Sequence, residues 1–185
     1  MVTYSAAYRM VHYMAWANHV TLQNAAQLSE EELHASRDTL FKTIAGTFDH
    51  ILVIQEIFLA HLQGTKHNFI GRSRTTPLPF NDVAHRLREL DQHYIELAAH
   101  WSQDDLEEII PFEFVDGGTG AMSREDILLH LANHSTYHRG FISTLMYPHH
   151  VNSAASDLSV FLRDIWPELK TIDTPYQRYQ AIINQ

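Results

Sequence analysis

The chain contains no cysteine. Disulfides, thiolate metal ligands and a cysteine nucleophile are therefore excluded, and any thiol chemistry requires a thiol cosubstrate. Positive charge is also scarce: 13 Lys and Arg stand against 22 Asp and Glu, for a formal net charge of -9. A nucleic-acid binder needs a basic stripe to displace counterions, and no such run is present, so no nucleic-acid partner is expected. No apolar run approaches the roughly 20 residues of a membrane span. The opening Met-Val-Thr-Tyr-Ser lacks the basic n-region and apolar stretch of a signal peptide. The expectation is a cytoplasmic protein with no membrane partner. Internal repeats and low-complexity tracts are likewise missing.

What remains is a chain of 185 residues, 45% hydrophobic and 19% charged, long enough to bury a core as one domain. Its compositional oddity is 14 histidines. No single site could use them all, so most are surface or helix-flank residues.

Apolar periodicity predicts an all-α fold with one β interruption. Residues 3–28 lack Gly and Pro, and Ala7, Met10, Val11, Met14, Ala15 and Leu22 suit a long helix. Ser29 and the acids after it begin a new, short helical start. A second long helix is expected over 38–63, ended by Gly64; around residues 51–54 it becomes apolar on nearly every side, as in a helix placed between neighbours. Residues 65–79 form a loop with local positive charge from Arg72 and Arg74. Asn81 or Asp82 caps a third helix running to about Trp101. Residues 106–115 alternate apolar side chains before Asp116-Gly-Gly-Thr-Gly120, which predicts a strand or hairpin with a glycine turn. A phosphate loop is excluded because no Lys-Ser/Thr follows. A helix over 123–147 follows, its start marked by Ser123 and Asp126, which resemble a capping box. A last helix over 156–169 places Leu158, Phe161, Leu162, Ile165 and Trp166 on one face. Domain organisation reads as 1–170 in a single domain and 171–185 as a loosely attached tail.

Within the helix over 123–147 lies His130-Leu-Ala-Asn-His134-Ser-Thr-Tyr-His138-Arg-Gly. Residues four apart share a helix face, about 6 Å along the axis, so two imidazoles stand one above the other as two ligands of one transition metal require. Spacing alone leaves two competing pairs, His130/His134 and His134/His138. It also leaves open that these histidines are plain core or surface residues. No His-Glu-x-x-His is present, so the protease pattern with a built-in base is absent.

The run Asn133-His134-Ser-Thr-Tyr137-His138-Arg139-Gly140 resembles the hallmark of the DinB/YfiT-like superfamily. Tyr13-Met-Ala-Trp16-Ala-Asn18 and Asp49-His50, continuing to Glu56-Ile-Phe58, resemble it as well, in the same order and over most of the chain. The resemblance implies an up-down four-helix bundle, to which the residue pattern adds a C-terminal helix and a short β-hairpin before the His-rich helix. It implies a divalent metal, nickel or zinc, on His50, His134 and His138, which selects the His134/His138 pair and leaves His130 for packing or an outer contact. Three imidazoles leave a coordination position for water or substrate, though ligand type alone suits zinc, nickel, cobalt, copper or ferrous iron. Family members include transferases and isomerases that use a low-molecular-weight thiol, and others described as metal-dependent hydrolases. The resemblance thus implies a small-molecule substrate and a homodimer. Glu56, Asp49, Tyr137 and Asn133 flank the ligands without a settled role. Arg139 binds an anionic substrate or closes an ion pair, the second being the simpler reading. Phe141 departs from the Gln frequent after His-Arg-Gly. A noncatalytic metal- or ligand-binding bundle in a stress response is the alternative from another functional class.

Overall fold

The computed structural model describes residues 4–151 and 154–185; Thr3, the first residue of the expected opening helix, lies outside them. Four long helices form a bundle: α1 (Ala6–Ala25), α3 (Ile44–Leu62), α4 (Phe80–His100) and α6 (Arg124–Met146). Around it α1 contacts α4 and α6, and α3 contacts the same two, so α1 and α3 stand on one diagonal. Side-chain caps fix three of the starts. Ser5, Thr43 and Ser123 each accept a hydrogen bond from the third backbone amide onward, satisfying donors that have no partner inside the helix. The apolar girth of α3 is explained by its position, with α4 and α6 both packed on it.

Several boundaries differ from the sequence expectations, each for a local reason. The second long helix starts at Ile44 rather than residue 38, because Lys42 adopts the left-handed region (φ 62°) and Thr43 becomes the cap. In α4 the cap position is Pro79, which leaves Asn81 and Asp82 inside the first turn. Leu106 belongs to a short helix, α5 (Gln103–Glu107), started by a reciprocal Ser102/Asp105 capping box. The short α2 (Glu30–His34) has the same device in Ser29 and Glu32. The hairpin follows as β1 (Ile109–Glu113) and β2 (Thr119–Ser123), antiparallel, with Phe112 opposite Gly120. Its turn needs Gly117 and Gly118, whose φ values of 93° and 89° other residues rarely adopt.

The C-terminal region departs furthest. Residues 158–169 form α7 (Leu158–Val160), a π turn (Phe161–Ile165) and α8 (Trp166–Leu169). Pro167 has no N–H to donate into the helical ladder, and the wider turn absorbs the gap. The extra residue per turn rotates the face, so Phe161, Trp166 and Leu169 are buried while Leu158 and Leu162 are exposed. The expected loose tail at 171–185 is corrected. Thr174 caps α9 (Pro175–Ile183), which packs on α1 and α4 with Arg178, Tyr179 and Ile182 buried. Burying the Ile182 side chain alone contributes about 1.5–3 kcal/mol to that docking.

One core cluster fills the bundle around α1, the C-terminal half of α3 and the start of α6, and includes the buried faces of the hairpin and C-terminal helices. A second lies toward Leu22, Phe48, Phe80 and Ile142. Among the described residues no helix is long and apolar enough to cross a membrane.

Candidate metal centre

His50 sits in the second turn of α3, while His134 and His138 occupy successive turns of α6, the helix packed beside it. The structure brings all three together. Each offers a ring nitrogen, and these atoms lie within 4.8 Å of one another. His50 Nε2 and His134 Nε2 are 3.1 Å apart. Two imidazoles on one ion at about 2.0–2.1 Å have nitrogens roughly 2.9–3.4 Å apart for bond angles between octahedral and tetrahedral, so this spacing fits a shared metal.

The tautomer of His50 is set by its other nitrogen. Nδ1 lies 2.5 Å from the Arg72 carbonyl oxygen, which only accepts, so Nδ1 carries the proton and Nε2 presents its lone pair. Burial holds His134 down at about 3 and His138 at about 4, with the neighbouring imidazoles adding to the effect. His50 is also lowered by burial, against the opposing bond to Arg72. At neutral pH the three rings are uncharged, the form in which imidazole binds a cation. The Nδ1 atoms of His134 and His138 are buried without a hydrogen-bond partner among the described residues.

The loop at 65–79 supplies the Arg72 carbonyl, and Arg74 ties that loop to α3. Its guanidinium donates to Asp49 Oδ1 at 2.7 Å and to Glu56 Oε2 at 2.5 Å. Arg86 of α4 holds the other oxygen of Glu56. Asp49 and Glu56, which flank His50 in sequence, therefore brace the loop. On the opposite side the Phe41 ring stacks on His50 at 4.1 Å and meets His138 edge-on at 5.3 Å. Thr43 and Gly46 hold that turn. A Cβ on Gly46 would come 2.4 Å from the Phe41 carbonyl oxygen, so only glycine lets the turn lie this close.

The three histidines line a cavity of about 1130 Å³. Ile54, Ile57 and Phe58 of α3 and Phe112, Phe114 and Met122 of the hairpin region give it apolar walls. The hairpin thus acts as one wall, and Phe112 lies over Gly120 so closely that a Cβ there would be 2.5 Å from its ring. Polar groups at the wall are His61, Arg72, Ser73, Glu113, Asp116, His130 and Tyr137. His130 packs on Phe58 at 5.0 Å and approaches His134 at 5.8 Å, an outer position rather than a member of the three-ring group. Tyr137 is 74% exposed beside His138, and Asn133 is exposed.

Arg139 faces away from the cavity. Buried, it donates to Asn18 Oδ1 at 2.8 Å and Thr136 Oγ1 at 2.8 Å, while the Asn18 amide nitrogen donates to both oxygens of Asp91. Asn18 thus separates the guanidinium from the carboxylate and links α6, α1 and α4. Trp16 packs on Phe161.

Sequence reasoning missed the Arg72 carbonyl, Phe41 and the wall histidine His61. A backbone acceptor has no side-chain signature, and Phe41 lay inside an expected helix. The available signal was the positive loop beside the acids around His50.

Three comparisons bear on this geometry. The DinB family model matches residues 1–160. Protein DinB of Bacillus subtilis (strain 168) is 22% identical over 167 residues, covering 84% of this chain and 93% of that protein. The crystal structure of a DinB-like protein from Bacillus cereus ATCC 10987 superposes with a TM-score of 0.58 at 20% identity, covering 76% of this chain and 90% of that one, which supports the fold.

Proposed function

Since the chain belongs to the DinB family, we propose that it is a divalent-metal-dependent enzyme in which His50, His134 and His138 hold the ion. The observation that carries this reading is the convergence of three neutral imidazoles from two helices, their ring nitrogens within 4.8 Å of one another, with His50 Nε2 and His134 Nε2 3.1 Å apart and the His50 tautomer set by the Arg72 carbonyl. An all-imidazole donor set suits zinc or nickel, the two ions we propose. Such an ion supplies Lewis-acid polarisation and lowers the pKa of a thiol or water presented to it.

The chain's own residues perform the remaining tasks. Arg72, held through Arg74, keeps the proton on His50 Nδ1 and so keeps Nε2 free. Ile54, Phe58 and Phe112 exclude water from one side of the cavity, where an apolar small molecule packs. Thiol-dependent group transfer and hydrolysis are the two family chemistries carried over, and a cavity of about 1130 Å³ has room for a thiol beside an electrophile or for one larger substrate. With no cysteine in the chain, the thiol is a cosubstrate. A homodimer in the cytoplasm completes the proposal, its solution state readable by sedimentation.

The test is turnover of apolar electrophiles by protein reloaded with zinc or nickel, with and without low-molecular-weight thiols, beside an ester and amide panel. Thiol-dependent, metal-dependent loss of the electrophile supports transfer. Hydrolysis without thiol selects the hydrolase chemistry. Metal retention with no turnover in either panel overturns the enzyme reading in favour of a binding bundle.

A further inference from the structure

A second cavity, of about 580 Å³, lies between the start of α1, the end of α4, and α9, and shares no lining residue with the three-histidine cavity. Its most unusual occupant is Arg178, buried to 6% exposure on α9. A buried guanidinium normally faces a carboxylate. Arg178 makes no ion pair with any carboxylate among the described residues.

Arg178 also has more donors than partners. A guanidinium carries five N–H donors and accepts nothing. Nε donates to the Leu169 carbonyl at 3.0 Å, Nη1 to the Tyr8 hydroxyl, and Nη2 to the Tyr4 hydroxyl at 3.1 Å. One hydrogen on each Nη has no acceptor among the described residues. Tyr4 passes its own proton to the Lys170 carbonyl at 3.2 Å. Tyr8, buried, accepts from Arg178 and has no acceptor for its O–H among the described residues. Among the described residues, three donor hydrogens from two buried side chains that line one cavity are thus left without a partner, and Asp173, out of ion-pair reach, is the one acidic residue of the lining.

Ser5, the cap of α1, lines the same cavity, so the positive end of a 20-residue helix adds to the field. Trp101, Leu106, Ala98 and Pro175 provide an apolar wall opposite.

We propose that this cavity is an oxyanion-binding site, in which Arg178 and the Tyr8 hydroxyl take up the carboxylate or phosphate of a small organic anion whose apolar body rests against Trp101 and Leu106. A bound oxyanion supplies the missing acceptors and neutralises the guanidinium. It also bridges α1 to α9, so occupancy tightens the docking of the C-terminal helix.

The test is calorimetric titration of metal-stripped protein with benzoate, phenyl phosphate and inorganic phosphate at constant ionic strength, with chloride as control. Wild type should bind at least one oxyanion saturably, and the benzoate and phosphate arms identify which head group is preferred. Tyr8→Phe keeps the ring stacked on Tyr4 and removes only the hydroxyl; it should weaken binding about 10-fold or more. Arg178→Lys, which loses the planar fork, should abolish it. His138→Ala, on the other cavity, should bind like wild type. Hydrogen exchange of the α9 amides should slow on saturation. The proposal is overturned if wild type takes up no oxyanion beyond the chloride control, or if Tyr8→Phe, folded by circular dichroism, binds as tightly as wild type.

Discussion

Replacing Asp91 by Asn should leave the protein progressively more stable, relative to wild type, as pH rises. Asp91 is 1% exposed, and both of its oxygens accept from Asn18 Nδ2, at 3.0 and 3.1 Å. Because the Asn18 amide intervenes, Arg139 does not touch the carboxylate. Burial therefore dominates and raises Asp91 from 3.8 to about 7, against the lowering effects of Asn18 and Arg139. Arg139, itself lowered by burial, keeps its proton throughout the working range. With its folded pKa raised, Asp91 contributes fully to stability below pH 3.8 and loses that contribution as pH rises through about 7. Three pH units at about 1.4 kcal/mol each amount to about 4 kcal/mol at most. Buried histidines work in the other direction. His12, lowered to about 3 by burial, destabilises the fold as pH falls below the ordinary imidazole range, but it does so in both proteins and cancels in the difference. The assay is urea unfolding of wild type and Asp91→Asn from about pH 4 to about pH 8, comparing midpoints at constant slope. The expected stability difference climbs by several kcal/mol in favour of the variant. A flat difference, or one that climbs in favour of wild type, would mean that the Arg139 charge outweighs burial and would refute the reasoning.

Three further outcomes are expected. Arg74→Ala should release the loop that carries the Arg72 carbonyl and weaken zinc affinity about 10- to 100-fold, as read by competition with a chelator, and should also lower the melting temperature because the buried Asp49 carboxylate loses its partner; unchanged affinity would contradict the bracing role. Gly46→Ala should push the Phe41 turn off His50 and cost about 1–3 kcal/mol in urea unfolding, and a neutral result would show that the turn yields freely. Tyr179→Phe removes the bond to the Arg88 carbonyl at 2.6 Å and should cost about 1 kcal/mol with faster amide exchange in α9; no change in either would mean that α9 is not held by this contact.

The long helices were legible because their apolar residues recur at helical spacing and their caps are local. Ser123 and Asp126 marked the start of α6 at the right place. The same kind of signal was present but unread at Ser102/Asp105 and at Thr174-Pro175, which open α5 and α9. The start of α3 was not legible. Residues 38–43 contain no Gly or Pro to mark a break, yet they fold as bends and turns, with Lys42 in the left-handed region before the Thr43 cap. Pro167 went unread within the expected helix over 156–169, and nothing local in the sequence indicates that a π turn would turn Leu158 and Leu162 outward. In the candidate site, the spacing of His134 and His138 and the resemblance around His50 anticipated which rings converge. Asp91, Phe41 and the Arg72 carbonyl come from distant segments, and only the packed bundle brings them to Asn18 and His50.

The proposed metal site draws its three imidazoles from α3 and α6. Elemental analysis of untagged wild type beside His50→Ala, His134→Ala and His138→Ala, each verified as folded, tests it most directly. The prediction is about one equivalent of zinc or nickel in wild type and background levels in each variant. Wild type at background after incubation with either ion, or variants that retain the metal, would contradict it.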